Sequence, residues 1–158
     1  MPLSPRVRTQ VQVMFFDTDC GGVVSNIAYL RFIEIARTHL AEELGLALAN
    51  MAEKQTYLVV VRTEIDYRRP AKLSDRLAIE GWLDCVERAR FYCAFRITRP
   101  EDNTLIAECR QTLALVEMPN GRLLRLPEHW KAYRKAEASE HSEGESQSST
   151  FSGGEREK

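Results

Sequence analysis

Histidine is scarce in this chain: His39, His129 and His141 are the only three among 158 residues. No C-x-x-C pair occurs among the four cysteines, Cys20, Cys85, Cys93 and Cys109. Zinc-type ligand spacing is therefore missing, and no metal is expected. No apolar run approaches the ~20 residues that a membrane-spanning helix needs. The segment Met1–Arg6 lacks the apolar core of a signal peptide, which sets the expectation of a cytoplasmic protein. Ser25 stands outside any Gly-x-Ser-x-Gly elbow and has no histidine near it in sequence, so its expected role is to cap a helix.

What remains is ordinary in amount and uneven in placement. Hydrophobic residues make up 44% and charged residues 28%, as in a soluble globular domain, and 158 residues suffice for one domain with a real core. The net charge is −1, yet residues 137–158 hold six glutamates against Arg156 and Lys158, a local charge of −4. Subtracting that tail leaves residues 1–136 at +3. A mildly basic body is compatible with a phosphorylated ligand and falls short of a nucleic-acid footprint. The Ser/Glu/Gly-rich residues 137–158 cannot bury enough surface to offset ordering entropy and are expected to be a disordered tail behind a domain spanning 1–136.

Hydrophobic periodicity supplies the elements. Val7, Thr9, Val11, Val13 and Phe15 alternate with polar residues, the period of a half-buried strand. A helix is expected from Ile27 to Leu44, where Ile27, Leu30, Ile33, Ala36, Leu40 and Leu44 recur at helical steps and Tyr29, Phe32 and Ile35 widen the apolar arc. Such a helix is one that a sheet wraps around, and Gly45 is a natural stop. Four alternating runs follow: 57–67, 77–85 with a bend or bulge expected at Gly81, 91–97, and 105–115 with Leu105, Ala107, Cys109, Leu113 and Leu115 on one face. Short links at 86–89 and 100–103 imply antiparallel hairpins. Cys85, Cys93 and Cys109 fall in these runs and are expected to be buried free thiols. Residues 127–136 are expected to add a short helix. The class is α+β, a long antiparallel sheet curved around one helix.

The chemistry concentrates in Phe16–Asn26, where Asp17, Asp19, Gly21 and Gly22 lie between the first strand and the helix start. Either aspartate can serve as a plain turn residue. A helix start offers unpaired N–H groups and a positive dipole end, which suits a developing oxyanion. A carboxylate and an oxyanion site within a few residues are the minimum parts for acyl transfer. Basic side chains at Arg68, Arg69, Lys72, Arg88 and Arg90 lie at or near strand ends, where solvated surface is the default.

The run Asp17-Thr18-Asp19-Cys20-Gly21-Gly22-Val23-Val24, then Ala28-Tyr29-Leu30-Arg31-Phe32 with Glu34, Ala36, Arg37 and Thr38, resembles the 4-hydroxybenzoyl-CoA thioesterase-like family, in its Tol-Pal-associated acyl-CoA thioesterase branch. The later Asp66–Asp75 segment resembles it too, and the match covers roughly residues 7–127. The resemblance implies a hotdog fold and hydrolysis of a short-chain or aromatic acyl-CoA without metal or cofactor. It also implies a homodimer or homotetramer with the site shared between subunits. It makes Asp19 the catalytic carboxylate, as nucleophile or general base, and leaves Asp17 to shape the loop. It puts backbone oxyanion donors near Asn26, lines the substrate with Gly21, Gly22 and Val23, and gives coenzyme A phosphates to basic residues such as Arg68, Lys72, Arg88 and Arg90. One departure stands out: the branch usually has Tyr-His where this chain has Ser25-Asn26, and Asn26 is neither acid nor base near neutral pH. That departure supports a rival reading, a non-catalytic acyl-CoA-binding or scaffold protein. A dehydratase acting on hydroxyacyl thioesters would need a site histidine, which the Asp19 loop lacks.

Overall fold

The computed structural model of the protein describes residues 4–133. The expected tail and the end of the expected C-terminal helix lie outside them. Strand β1, Arg6–Gln12, is followed by a one-turn 3-10 helix at Phe15–Asp17, helix α1 at Asn26–Glu43 and a short helix α2 at Leu48–Lys54. Four long strands come next: β2 Thr56–Tyr67, β3 Arg76–Val86, β4 Arg90–Arg99 and β5 Thr104–Glu117. A two-residue β6, Arg122–Leu123, pairs with β5, and a 3-10 turn at Glu128–Trp130 follows. The sheet order is β1-β3-β4-β5-β2, and every pairing is antiparallel. This is the hotdog arrangement.

The core lies between α1 and the concave face of the sheet. Phe32, Ile33, Ala36 and Leu40 of α1 meet Leu77, Ile79 and Leu83 of β3 and Phe91, Phe95 and Ile97 of β4, all fully buried. Gln111 of β5 is a buried polar residue beside this core, at 2% exposure. Arg37 Nη1 donates to its Oε1 at 2.9 Å and its Nε2 donates to Thr63 Oγ1 at 3.2 Å, so the amide is satisfied and ties α1 to β5 and β2. Trp130 is also fully buried and meets Phe91 edge-on, with ring centroids 5.0 Å apart, which anchors the end of the described chain.

Several expectations need correction. Phe15 does not continue β1. The strand ends at Gln12, the chain turns, and Phe15 and Phe16 stand 81% and 75% exposed. Gly81 is no bulge: it sits in register between Val7 and Phe95, and a Cβ there would stand 2.9 Å from the Phe95 ring. The irregularity falls between Leu83 and Cys85, which leaves Cys85 only half-buried. A second bulge lies opposite Ile97 and Thr98 of β4, where β5 carries Ile106 as the extra residue, and Ile106 is buried instead of Leu105. On α1 the apolar arc is not wholly covered, for Ile27 and Leu30 face outward at the start of the helix. Cys93 and Cys109 are buried as expected, and burial pushes the Cys109 thiol up to about 12, so it stays protonated.

The two edges of the sheet differ. β1 presents Arg6, Arg8, Gln10 and Gln12 outward, with Arg8 Nη1 paired to Glu80 at 2.6 Å. At the other edge lies β2, 12 residues long, where Val59, Val60 and Val61 are all exposed and a bulge falls between Val60 and Arg62. A long apolar edge is a template for pairing.

Candidate active site

The loop between β1 and α1 is held at its entrance, its exit and its tip. At the entrance the Asp17 carboxylate, 1% exposed, accepts from Met14 N–H at 2.9 Å, as a loop-shaping residue should. Its other oxygen takes a charge-assisted bond from Arg31 of α1. At the exit Ser25 N–H donates to the Asp17 carbonyl at 2.8 Å. The Ser25 side chain then caps α1 by accepting from Ala28 N–H, the expected role.

At the tip Asp19 N–H donates to Val23 O at 2.9 Å and Gly22 N–H to Asp19 O at 3.0 Å, closing a tight turn. Gly22 has φ +72°, a conformation that a side chain would strain. Gly21 N–H donates to Asp19 Oδ1 at 2.9 Å, and a Cβ on Gly21 would press within 3.2 Å of that oxygen. The Asp19 carboxylate is exposed, and among the described residues no cation pairs with it. A carboxylate so held is oriented and keeps lone pairs for chemistry.

The loop leans on the segment that follows β2. Val24 N–H donates to Ala71 O at 2.8 Å, and Val23 and Lys72 form an antiparallel bridge. That segment is itself locked: Asp75 Oδ2 accepts from Lys72 N–H and from Arg99 Nη1, each at 2.9 Å. Arg99 also forks onto Asp102 at 3.0 and 2.8 Å, and this pairing holds the Asp102 carboxyl well below the usual carboxylate range.

Beside the loop opens a cavity of about 320 Å³. Val24, Asn26 and Tyr29 line one side, and Tyr67, Arg68, Arg69 and Pro70 the other. Asn26 is the first residue of α1, and its carbonyl accepts from the Tyr67 hydroxyl at 3.4 Å. Ser25 takes the Ala28 N–H, while the Asn26 and Ile27 N–H groups, at the very start of α1, have no intrahelical acceptor. The Tyr29 and Tyr67 rings meet at 5.3 Å, and burial pushes the Tyr29 phenol above its usual value.

The structure thus gathers Asp19, Gly21, Gly22, Val23 and Asn26 into one corner and brings Lys72 alongside. Arg68 reaches the cavity wall, but its guanidinium is shared with Glu108 at 3.2 Å and Asp66 at 3.8 Å. Arg88 and Arg90 lie at the other end of the sheet, where Arg88 lines a separate cleft of about 260 Å³ with Arg125 and Lys131. Within one chain they do not join the Asp19 corner. Sequence reasoning missed Tyr29, Arg31 and Tyr67 as members of the site, while Arg69, named among the basic residues at strand ends, does line the cavity. The spacing Asn26/Tyr29, one helical turn, is the signal that could have found Tyr29.

Comparison with known proteins agrees with this geometry. Residues 13–133 match the family described as the thioesterase-like superfamily. The acyl-CoA thioesterase YbgC of Haemophilus influenzae is 35% identical over 124 residues, covering 77% of this chain and 89% of that protein. The 1,4-dihydroxy-2-naphthoyl-CoA hydrolase of Synechocystis is 27% identical over 121 residues, covering 76% of this chain and 88% of that one. Among solved structures, a probable thioesterase from Bartonella henselae superposes with a TM-score of 0.71 at 28% identity, over 77% of this chain and 99% of that one.

Proposed function

The chain belongs to the thioesterase-like superfamily and is a thioester hydrolase, and on that footing we propose that Asp19 drives hydrolysis of an acyl-CoA at the start of α1. The observation that carries this reading is the Asp19 carboxylate, oriented by Gly21 N–H, unpaired with any described cation, in a loop that runs directly into the α1 N-terminus. The thioester carbonyl lies toward the first-turn N–H groups at Asn26, where the negative charge that develops on oxygen is stabilised. Asp19 either takes a proton from water, which then attacks, or attacks itself and forms a mixed anhydride that water opens. In both routes a C–O bond forms and the C–S bond breaks. The coenzyme A thiolate leaves and takes up a proton, and the carboxylic acid is released.

The same reading makes the enzyme a dimer built on β2. Its exposed apolar edge is satisfied by a second copy paired antiparallel to it. Reversal of strand direction sets the end of one subunit that carries Arg88 and Arg90 beside the end of the other that carries Asp19. Arg88 and Arg90 of the partner subunit then stand where coenzyme A phosphates need cations, with Lys72 and Arg69 of the first chain. Four unbridged cysteines, Cys20 among them exposed, suit a reducing cytoplasm.

The test is release of free thiol from acyl-CoAs by the purified protein and by Asp19→Asn. Loss of turnover in a folded Asp19→Asn protein supports the assignment. An Asp19→Asn enzyme as fast as wild type would remove Asp19 from the chemistry.

A further inference from the structure

Most hydrogen-bond donors around the site cavity are already engaged. Val24 N–H goes to Ala71 O and Ser25 N–H to Asp17 O, each at 2.8 Å. Of the backbone donors that open α1, those of Asn26 and Ile27 remain. Among the cavity side chains, Arg68 is shared between Glu108 and Asp66. The Tyr29 hydroxyl is held by the Ala71 backbone, and Tyr29 itself is buried. The Tyr67 hydroxyl differs from both.

Tyr67 ends β2 and is 52% exposed. Its hydroxyl donates to Asn26 O at 3.4 Å, well past the roughly 2.7–2.8 Å of a good O–H···O bond. That carbonyl lies inside α1 and takes an N–H of the next turn, so it stays satisfied without the hydroxyl. The hydroxyl can therefore turn to a substrate at little cost. It stands against the same residue, Asn26, whose own N–H is free. The base of the side chain is firm. Tyr67 pairs with Ala107 of β5, and Arg68 N–H and Arg69 N–H both donate to Ile106 O, at 2.8 and 3.1 Å. The ring stands 5.3 Å from that of Tyr29, which is 4% exposed. A donor on a rigid base is preorganised, and preorganised donors are what stabilise a developing charge.

We infer that the Tyr67 hydroxyl is a catalytic donor, which joins the Asn26 and Ile27 N–H groups in binding the thioester oxygen as that atom becomes an oxyanion. This rests on the thioesterase reading of the Asp19 corner, and every group involved belongs to one chain. Attack at the carbonyl carbon sends the π electron pair onto oxygen. Collapse returns that pair to the carbonyl as the C–S bond breaks. Tyr67 keeps its proton throughout and supplies only a hydrogen bond, stronger to the charged oxygen than to the carbonyl. The bond thus lowers the barrier more than it tightens substrate binding. It also gives the helix start a side-chain donor where Asn26 is neither acid nor base.

Tyr67→Phe removes the hydroxyl and keeps the half-exposed ring, and melting curves check that the fold is retained. Thiol release from acetyl-CoA and benzoyl-CoA should show kcat lower by about 10²-fold at little-changed KM, the scale of one lost oxyanion donor. Tyr67→3-fluorotyrosine, introduced through a reassigned codon, keeps a donor and makes it more acidic. Assayed below neutral pH, where that phenol holds its proton, kcat should match or exceed the wild-type value. A wild-type kcat in Tyr67→Phe overturns the inference. So does a raised KM at unchanged kcat, which would make the ring a binding wall. A 3-fluorotyrosine enzyme as slow as Tyr67→Phe overturns it too, because the donor would be present without effect. Each of these results leaves the thioesterase reading standing if Asp19→Asn is slow. A fast Asp19→Asn would instead sink that reading.

Discussion

The Asp17 carboxylate and the Arg31 guanidinium clamp the loop to the second turn of α1, with Arg31 Cζ 5.4 Å from the Phe16 ring centroid and 5.1 Å from that of Phe32. The carboxylate is buried while the Arg31 side chain remains 48% exposed, so the pair sits at the boundary of core and solvent. Two residues further on, Asp19 faces outward with a single backbone donor. Identical side chains thus have opposite settings, one locked and one available.

That contrast predicts different outcomes for the same substitution. Asp19→Asn should melt like the wild type and lose about 10²–10⁴-fold in kcat, the usual cost of a missing general base, or more if Asp19 is the nucleophile. Asp17→Asn should keep more activity and lose stability. Its amide turns a donor or a neutral oxygen toward Arg31, at a cost of about 1–3 kcal/mol for a buried group left poorly satisfied. The exposed half of Arg31 can reach water, which holds the loss toward the lower end. Thermal melts and kcat measured on both variants check this, and a dead Asp17→Asn beside a live Asp19→Asn would reverse the assignment.

Asn26→His should fold normally and raise turnover of aromatic or short acyl-CoAs. The side chain is exposed at the first position of α1, so a larger ring meets little obstruction. An imidazole there adds a group that can titrate near neutral pH, which the amide cannot. A slower enzyme would mean that the Asn26 amide itself orients water or substrate.

Val60→Lys should separate the subunits. Val60 lies at the centre of the exposed β2 run, and a charge on an edge strand blocks pairing. Light scattering should report a monomer, and thiol release should fall with it, because the proposed site draws on both copies. A monomer that turns over acyl-CoA at the wild-type rate would refute the shared site.

Gly81→Ala should lower the melting temperature. The added methyl would meet the Phe95 ring at 2.9 Å, too close for any side chain to tolerate without movement, and Phe95 is itself fully buried. Overpacking of this kind costs about 1–3 kcal/mol. An unchanged melting curve would show that the Phe95 ring yields freely.

Much of this molecule is legible in its sequence, for reasons that also explain the gaps. α1 was readable because Ile33, Ala36 and Leu40 repeat at the helical period and all are buried. α2 was not, since a helix without a buried residue carries no periodic apolar signal. Alternation located β2 to β5 and gave most faces, but it misplaced residues beside two bulges, Leu105 for Ile106 and Cys85 for Val86, because an extra residue inverts the side chains on one side of it. Val59 and Val61 alternate like core residues and are exposed, for alternation reports that a residue is apolar and not which partner covers it. The Asp19 corner was visible as a contiguous motif. The cavity wall was not, because Tyr29 and Tyr67 meet only when the sheet curls.

The unequal rims of the sheet set a limit on growth. A β-layer with two adhesive rims would add copies without end, rim to rim, and become a fibre. Here the Arg6–Gln12 rim turns arginine and glutamine outward, while the Thr56–Tyr67 rim carries the exposed apolar run of Val59, Val60 and Val61. Joining through one rim that matches only itself uses up that rim on both copies. In the proposed dimer, growth by sheet extension would therefore terminate at the first encounter, and the strand that joins the two copies would also keep a third from adding.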